Sequence, residues 1–296
     1  MTSIDVRAYN PARDGAAVYA LWQRSLGQAW PLDRSELAAV IGDALVAFVG
    51  GRLAGAAAVA RAGRCASLQL LLVDPDLRRK GIGRRLHDAA LDQLARLGAQ
   101  SVSLGGTPGP YLWPGLPADL AEARAILERR GWTFGYTCWD LVQELADYET
   151  PADVARRGST FTYRWATGAE RDRLAAFEAL HFPEWAAYFD DDALETAIVA
   201  VDDDGAIVGS LMATDHRHPQ LWHELLGEDS GTIGAVGVAE AARGRGVGSA
   251  IVAYACEQLR DRGVGNCHIG WTTELSFYGR LGFHPWRRYE TANRNL

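Results

Sequence analysis

VDPDLRRKGIGRRL, residues 73–86, leaves an apolar run, crosses a cationic loop with two glycines and enters an amphipathic stretch. VAEAARGRGVGSAI, residues 238–251, repeats that arrangement in the second half of the chain. Laid one over the other, Val73 falls on Val238, Arg78 on Arg243, Gly81 on Gly246, Gly83 on Gly248 and Gly98 on Gly263. A single Arg-x-x-Gly-x-Gly hexapeptide carries little. Its return within a shared strand, loop, helix, glycine stop and strand reads as two copies of one domain.

The flanking sequence agrees. LVAFVGGRLAGAAAVARA (45–62) predicts a hairpin turning at Gly50-Gly51, and AIVAVDDDGAIVGSLMAT (197–214) predicts its counterpart, turning at Asp203-Asp204-Gly205. The short apolar runs LQLLLV (68–73) and TIGAVGV (232–238) read as buried strands. After the first loop, Leu86, Ala90, Leu94 and Leu97 share a helix face that stops at Gly98; Ile251, Ala255 and Leu259 do the same before Gly263. Helices are expected around 13–43 and 168–198. DYETPADVARRGST (147–160) is polar and contains Pro151, so the expected division is a domain at 1–146, a linker at 147–160 and a domain at 161–296.

A strand entering a glycine loop and then a helix exposes unpaired backbone amides and a positive dipole end, a setting for phosphate. Arg78, Arg79, Lys80 and Arg84 surround Gly81, Ile82 and Gly83; Arg243 and Arg245 surround Gly244, Gly246, Val247, Gly248 and Ser249. The alternative is a tight strand-to-helix turn with solvated charges. A Walker loop is excluded because neither copy has its Gly-Lys-Ser/Thr ending. A dinucleotide fingerprint lacks its third glycine, replaced by Leu86 and Ile251.

Val-x-x-x-x-Arg-x-x-Gly-x-Gly running from strand into helix resembles the acetyl-CoA pyrophosphate loop of the GNAT N-acetyltransferase superfamily. LSFYGRLGFHPW (275–286) is similar to that family's later Phe-Tyr-x-x-x-Gly-Phe segment. The resemblance implies an α+β (α/β) fold of two tandem domains, each a mixed, mostly antiparallel sheet flanked by helices. It implies acetyl-CoA as co-substrate, with Val236, Gly237 and Val238 facing the pantetheine arm and Arg243 to Ser249 on the pyrophosphate. A second site would use Leu72, Val73, Arg78 to Gly83 and Arg84. Tyr278 matches the family's tyrosine acid. With a phenol near ~10 and a thiol near ~8.5, full proton transfer is uphill by roughly 2 kcal/mol, so Tyr278 would act by hydrogen bonding.

The first copy departs from this pattern. Anchored on ILERRGW, Leu127 stands opposite Tyr278; anchored on the preceding strand, Trp113 does. Neither donates a proton, so the C-terminal copy is the expected catalytic one. The insertion GGTPGPYLWPGLPADLAEA (105–123) is either a rigid packed loop or the lining of a substrate site through Tyr111 and Trp113, with Tyr111 an alternative acid. The loop is also similar to tandem acetyltransferases of amino sugars and aminoglycoside-like compounds. Mycothiol synthases, another tandem group, are set aside because a Y-V-E-x-x-N type segment is missing.

The acceptor is accordingly expected to be a small-molecule primary amine. An amine near ~8, as in amino sugars, costs only about one to two kcal/mol to deprotonate at neutral pH, against about four to five for lysine. Candidate bases are Glu184, foremost, then Asp190 to Asp192, His216, His218 and Glu274, with Trp185 a substrate contact. Acetylation of protein or peptide amines, and a non-catalytic CoA-binding module, remain open alternatives. The net charge of -7 disfavours nucleic acid as a partner. No apolar run suggests a signal peptide or membrane span, and four scattered cysteines without a Cys-x-x-Cys pair suggest reduced thiols in a cytoplasmic monomer or homodimer without metal.

Overall fold

In a computed structural model that describes residues 3–107, 111–189, 192–218 and 221–296, the chain forms two compact units. Unit 1 comprises residues 1–138 and 287–296; unit 2 comprises 139–286.

Chain order in the first half is β1 (Ile4–Ala8), α1 (Pro11–Ser25), α2 (Arg34–Val40), β2 (Asp43–Val49), β3 (Arg52–Ala62), β4 (Cys65–Val73), α3 (Ile82–Arg96), β5 (Ser101–Leu104), β6 (Leu116–Pro117), α4 (Ala121–Arg129) and β7 (Thr133–Glu144). The second half continues with α5 (Ala152–Gly158), β8 (Thr162–Trp165), α6 (Arg171–His181), β9 (Ala197–Val201), β10 (Ile207–Thr214), α7 (His223–Leu226), β11 (Ser230–Val238), α8 (Val247–Asp261), β12 (Asn266–Thr272), α9 (Leu275–Gly279) and β13 (His284–Asn295).

Local signals account for the helix starts. Asn10 caps α1 by accepting from the Arg13 amide, with Pro11 at the first helical position. Asp33 and Glu36 form a capping box on α2, and Thr167 and Glu170 form one on the turn that leads into α6. Within unit 1 the strand order is β1-β2-β3-β4-β5-β13, antiparallel except for the parallel pair β4–β5. Within unit 2 it is β8-β9-β10-β11-β12-β7, antiparallel except for β11–β12. α3 and α8 each cover one face of their own sheet, burying Leu86, Ala90 and Leu94 in one case and Ile251, Ala255 and Leu259 in the other. Each such leucine contributes about 2 kcal/mol by leaving water.

Three expectations change. The boundaries do not follow 1–146 and 161–296: residues 139–144 pair with β12 of unit 2, and residues 293–295 pair with β5 of unit 1. Two copies of one fold offer equivalent edges, so an exchanged edge strand satisfies the ladder as well as a native one. The expected linker contains α5, whose Val154 and Gly158 are buried and which packs on α8. Leu97, expected on the core face, is 49% exposed because α3 ends at Arg96 and Gly98, at φ +86°, turns the chain away.

α3 also buries His87. The Trp132 indole donates to His87 Nε2 at 2.9 Å, while Nδ1 lies 3.2 Å from the Arg130 Nε donor and 3.0 Å from Asp88 Oδ1. Burial first, then the Arg130 and Arg294 charges, push its pKa down to about 4. The unfolded chain, near 6.5, therefore binds the extra proton between those values, and stability falls as pH drops from about 6.5 to about 4. The full effect is about 3 kcal/mol. Urea midpoints at pH 7 and pH 4.5 should show this loss, and His87→Gln should flatten it.

Candidate active site

In each unit the two parallel strands part midway. β4 pairs with β5 only over Cys65–Leu68, and β11 pairs with β12 only over Ser230–Thr232. Just past each point a bulge bends the longer strand: at Gln69, between the Ala58 and Val59 pairings of β3, and at Ala235–Val236, opposite β10 between Ser210 and Met212, with Ala235 at φ +48°. The stretches beyond, Leu70–Val73 and Val236–Val238, thus run along an opening between two strands.

Both stretches enter the same loop. Each passes through a 3-10 turn, at Pro75–Leu77 and Glu240–Ala242. Arg78 and Arg243 follow in extended conformation, and Arg79 (φ +63°) and Gly244 (φ +76°) in the left-handed region. The helix is then capped by Gly81 (φ +84°) or Gly246 (φ +89°). The first helical bonds run from Arg85 N to Gly81 O and from Ala250 N to Gly246 O, both 3.0 Å. The amides of Ile82, Gly83 and Arg84, and of Val247, Gly248 and Ser249, precede those bonds and have no partner within the helix. Glycine caps bring no side chain to satisfy them. Three amides, a dipole end and exposed Arg78, Arg79, Lys80 and Arg84, or Arg243 and Arg245, fit a diphosphate, the group that acetyl-CoA presents.

The loops differ in their neighbours. A side chain at Gly81 would meet open space, whereas a Cβ at Gly246 would lie 2.7 Å from Arg157 Cβ and 3.1 Å from its backbone carbonyl carbon. α5 therefore lies along the second loop. Arg243 donates to Val238 O at 3.2 Å, and the Arg245 guanidinium lies over the Phe161 ring.

Tyr278 sits on α9, after β12, packed against Phe277 and Phe283 and only 7% exposed. Burial, with a smaller push from Glu274, raises its pKa to about 12. The backbone settles which residue of unit 1 matches it. Leu281, Phe283 and Gly282 donate to Tyr278, Tyr278 and Gly279; Arg130, Trp132 and Gly131 donate to Leu127, Leu127 and Glu128 in the same pattern. Gly282 and Gly131 both have positive φ. Leu127, not Trp113, is the counterpart, and it is a buried core residue.

Trp113 is itself buried, stacked on Trp22 at 5.8 Å and edge-on to Trp30 at 5.2 Å. Its carbonyl accepts from Gly106 N, which folds the insertion back onto the end of β5. Tyr111 is half-buried; residues 108–110 of that loop lie outside the described residues. In unit 2, Trp185 stacks on Phe182 at 5.2 Å, and Phe182 covers Gly237, where a Cβ would come within 2.5 Å of its ring. Glu184 is exposed beside them. His218 lies 3.3 Å from the buried Asp215, His216 is exposed, and Glu274 immediately precedes α9, its carbonyl accepting from Tyr278 N. Asp190 and Asp191 lie outside the described residues, as does the side chain of Asp192.

Sequence reading passed over Glu178. It lies on the buried face of α6 with Leu174 and Phe177, fully buried, and accepts a hydrogen bond from the Ser210 hydroxyl through Oε1. A charged residue at an apolar-stripe position was the available signal. Among the described residues no helix is long and apolar enough to cross a membrane, and no His/Cys/Asp/Glu group could hold a metal. None of the four cysteines, all among the described residues, forms a disulfide; three are buried and Cys65 is exposed.

The sequence pattern of the acetyltransferase (GNAT) family matches residues 12–109 and 161–283. The mycothiol acetyltransferase of Rhodococcus opacus (strain B4) is 28% identical over 229 residues, 72% of this chain and 70% of that protein. The sequence reading set mycothiol synthases aside, yet proteins named mycothiol acetyltransferase are among the relatives. A solved GCN5-related glucosamine N-acetyltransferase region of a fungal multi-domain GH3 β-N-acetylglucosaminidase superposes over 99% of this chain with TM-score 0.93 and 30% identity. This chain covers 38% of that longer one. A tandem GNAT protein from the clavulanic acid biosynthesis pathway shares the fold over 99% of this chain and 98% of its own, with TM-score 0.67 and 17% identity.

Proposed function

We infer, for a chain that belongs to the acetyltransferase (GNAT) family and so uses acetyl-CoA as its acetyl donor, that unit 2 performs the transfer and that the acceptor is the primary amine of an amino sugar. The observation that carries the first part is the Tyr278–Leu127 difference: one backbone arrangement, built twice, holds a hydroxyl in only one copy. The amino-sugar acceptor is supported by the fungal glucosamine N-acetyltransferase region. The net charge of -7 also favours a cationic acceptor.

Acetyl-CoA supplies an acyl group already activated as a thioester. The amides of 247–249 and the arginines at 243 and 245 hold its diphosphate; Val236–Val238 runs along the arm. Tyr278 keeps its proton at neutral pH and donates a hydrogen bond where negative charge collects on the leaving sulfur. Phe182, stacked on Trp185, covers Gly237 and keeps water from that residue, while Val236 and Val238 stay partly exposed.

Thiol release from acetyl-CoA across an acceptor panel tests this reading. Glucosamine or an aminoglycoside should give the highest kcat/KM. A preference for the mycothiol precursor, the second reading that the Rhodococcus relative favours, would replace the amino sugar, and a preference for peptide amines would refute the small-molecule acceptor.

A further inference from the structure

The geometry points to Glu178 as the base that takes a proton from the attacking amine, an assignment that rests on the reading that unit 2 performs the transfer. Ser210, whose hydroxyl donates to Glu178 Oε1, is the register partner of Gly237 across β10 and β11. The carboxyl therefore lies one strand away from the Val236–Val238 stretch. α9, which carries Tyr278, follows β12, so the two groups approach the β11–β12 opening from its opposite sides. Glu178 Oε2 is buried and has no hydrogen-bond partner among the described residues.

A carboxyl that served only packing would be a poor choice here, since an unpartnered buried oxygen is costly. Unit 1 shows the alternative. α1 buries Val18, Leu21 and Trp22 with the spacing at which α6 buries Leu174, Phe177 and Glu178, so Trp22 stands where Glu178 does. Ser210 is matched by Ala56 and Gly237 by Leu72, since Ala56 pairs with Leu72 as Ser210 pairs with Gly237. The unit that lacks the tyrosine thus also lacks the carboxyl, its serine and its glycine.

Burial raises the Glu178 pKa to about 7, and the Ser210 hydrogen bond pulls the other way. β9, β10 and β11 carry no charged residue. Arg171, Asp172, Arg173 and His181 of α6 are exposed, and Glu170, in the preceding turn, is paired with Arg164. In the step assigned to it, the ionised carboxylate accepts one proton from the ammonium, which leaves a neutral amine. The nitrogen–carbon bond then forms as the carbon–sulfur bond breaks. The second nitrogen proton is lost and sulfur gains one, so the thiol leaves neutral, while Glu178 returns its proton to solvent.

The test uses the full chain and the best amine of the acceptor panel. Wild-type kcat/KM should rise with pH through a limb near 7. Glu178→Gln should lose about a hundredfold at pH 7, lose that limb, bind acetyl-CoA as before, and recover as pH passes the pKa of the free amine. Ser210→Ala should move the limb to higher pH. In the protein without ligands, the 13C-carboxyl resonance that disappears in Glu178→Gln should titrate near 7. A Glu178→Gln rate within about twofold of wild type with the limb retained, or a resonance titrating in the ordinary carboxylate range near ~4.3, overturns the assignment. A best acceptor that is not a sugar refutes only the substrate reading.

Discussion

Tyr278→Phe should lower kcat by about 10²- to 10³-fold while leaving the KM for acetyl-CoA nearly unchanged. Phenylalanine keeps the contacts with Phe277 and Phe283 and removes only the hydroxyl. With the phenol near 12 and a thiol near ~8.5, complete proton transfer from Tyr278 would be uphill by about 5 kcal/mol. The group therefore works by donating a hydrogen bond as charge develops, which stabilises the barrier and not the bound ground state. Wild-type kcat should accordingly show no descending limb from Tyr278 below about pH 10. Steady-state rates at pH 7.5 with both substrates varied would show the split, and an unchanged kcat would remove Tyr278 from the chemistry.

Gly246→Glu should weaken acetyl-CoA binding by at least about a hundredfold, or about 2.7 kcal/mol. Three effects act together. A side chain at φ +89° is strained, its Cβ meets the backbone of Arg157, and its carboxylate stands at amides suited to phosphate. Gly246→Ala separates them, because it keeps the strain and the contact but adds no charge. Calorimetric titration should find the alanine variant between wild type and the glutamate variant. Equal losses for both would assign the effect to the displaced α5 and not to the phosphates.

The repeat was legible because glycine stops, apolar strands and paired hairpins are local signals that survive in both copies. Gly50-Gly51, Gly98 and Gly263 turn the chain where the sequence predicts. The strand exchange was not legible. Residues 139–144 and 287–296 are plain strand sequences, and nothing in their alternation says which of two equivalent edges they join. Leu97 misled because it keeps the apolar period up to the Gly98 stop, yet it is the cap residue beyond the last helical position, Arg96, and faces solvent. The loop could be read from its glycine spacing, since backbone geometry fixes it, whereas Tyr278 was reached only through the resemblance of residues 275–286 to the family's later segment. Glu178 could not be weighed as a base because its significance depends on burial against Ser210, which periodicity suggests only through a charge in an apolar stripe. Glu184, foremost among the candidate bases named from sequence, is exposed.

The central claim, that transfer occurs in unit 2, is tested most directly by turnover in a matched pair of loop variants. Thiol release with the best amine is measured for Gly81→Glu and Gly246→Glu at saturating acetyl-CoA for the wild type. The two positions share backbone geometry, and the side chain at Gly81 enters open space. Gly81→Glu should retain at least about half of the wild-type rate, and Gly246→Glu should retain about a hundredth or less. An inactive Gly81→Glu beside an active Gly246→Glu would contradict the account and move the chemistry to unit 1.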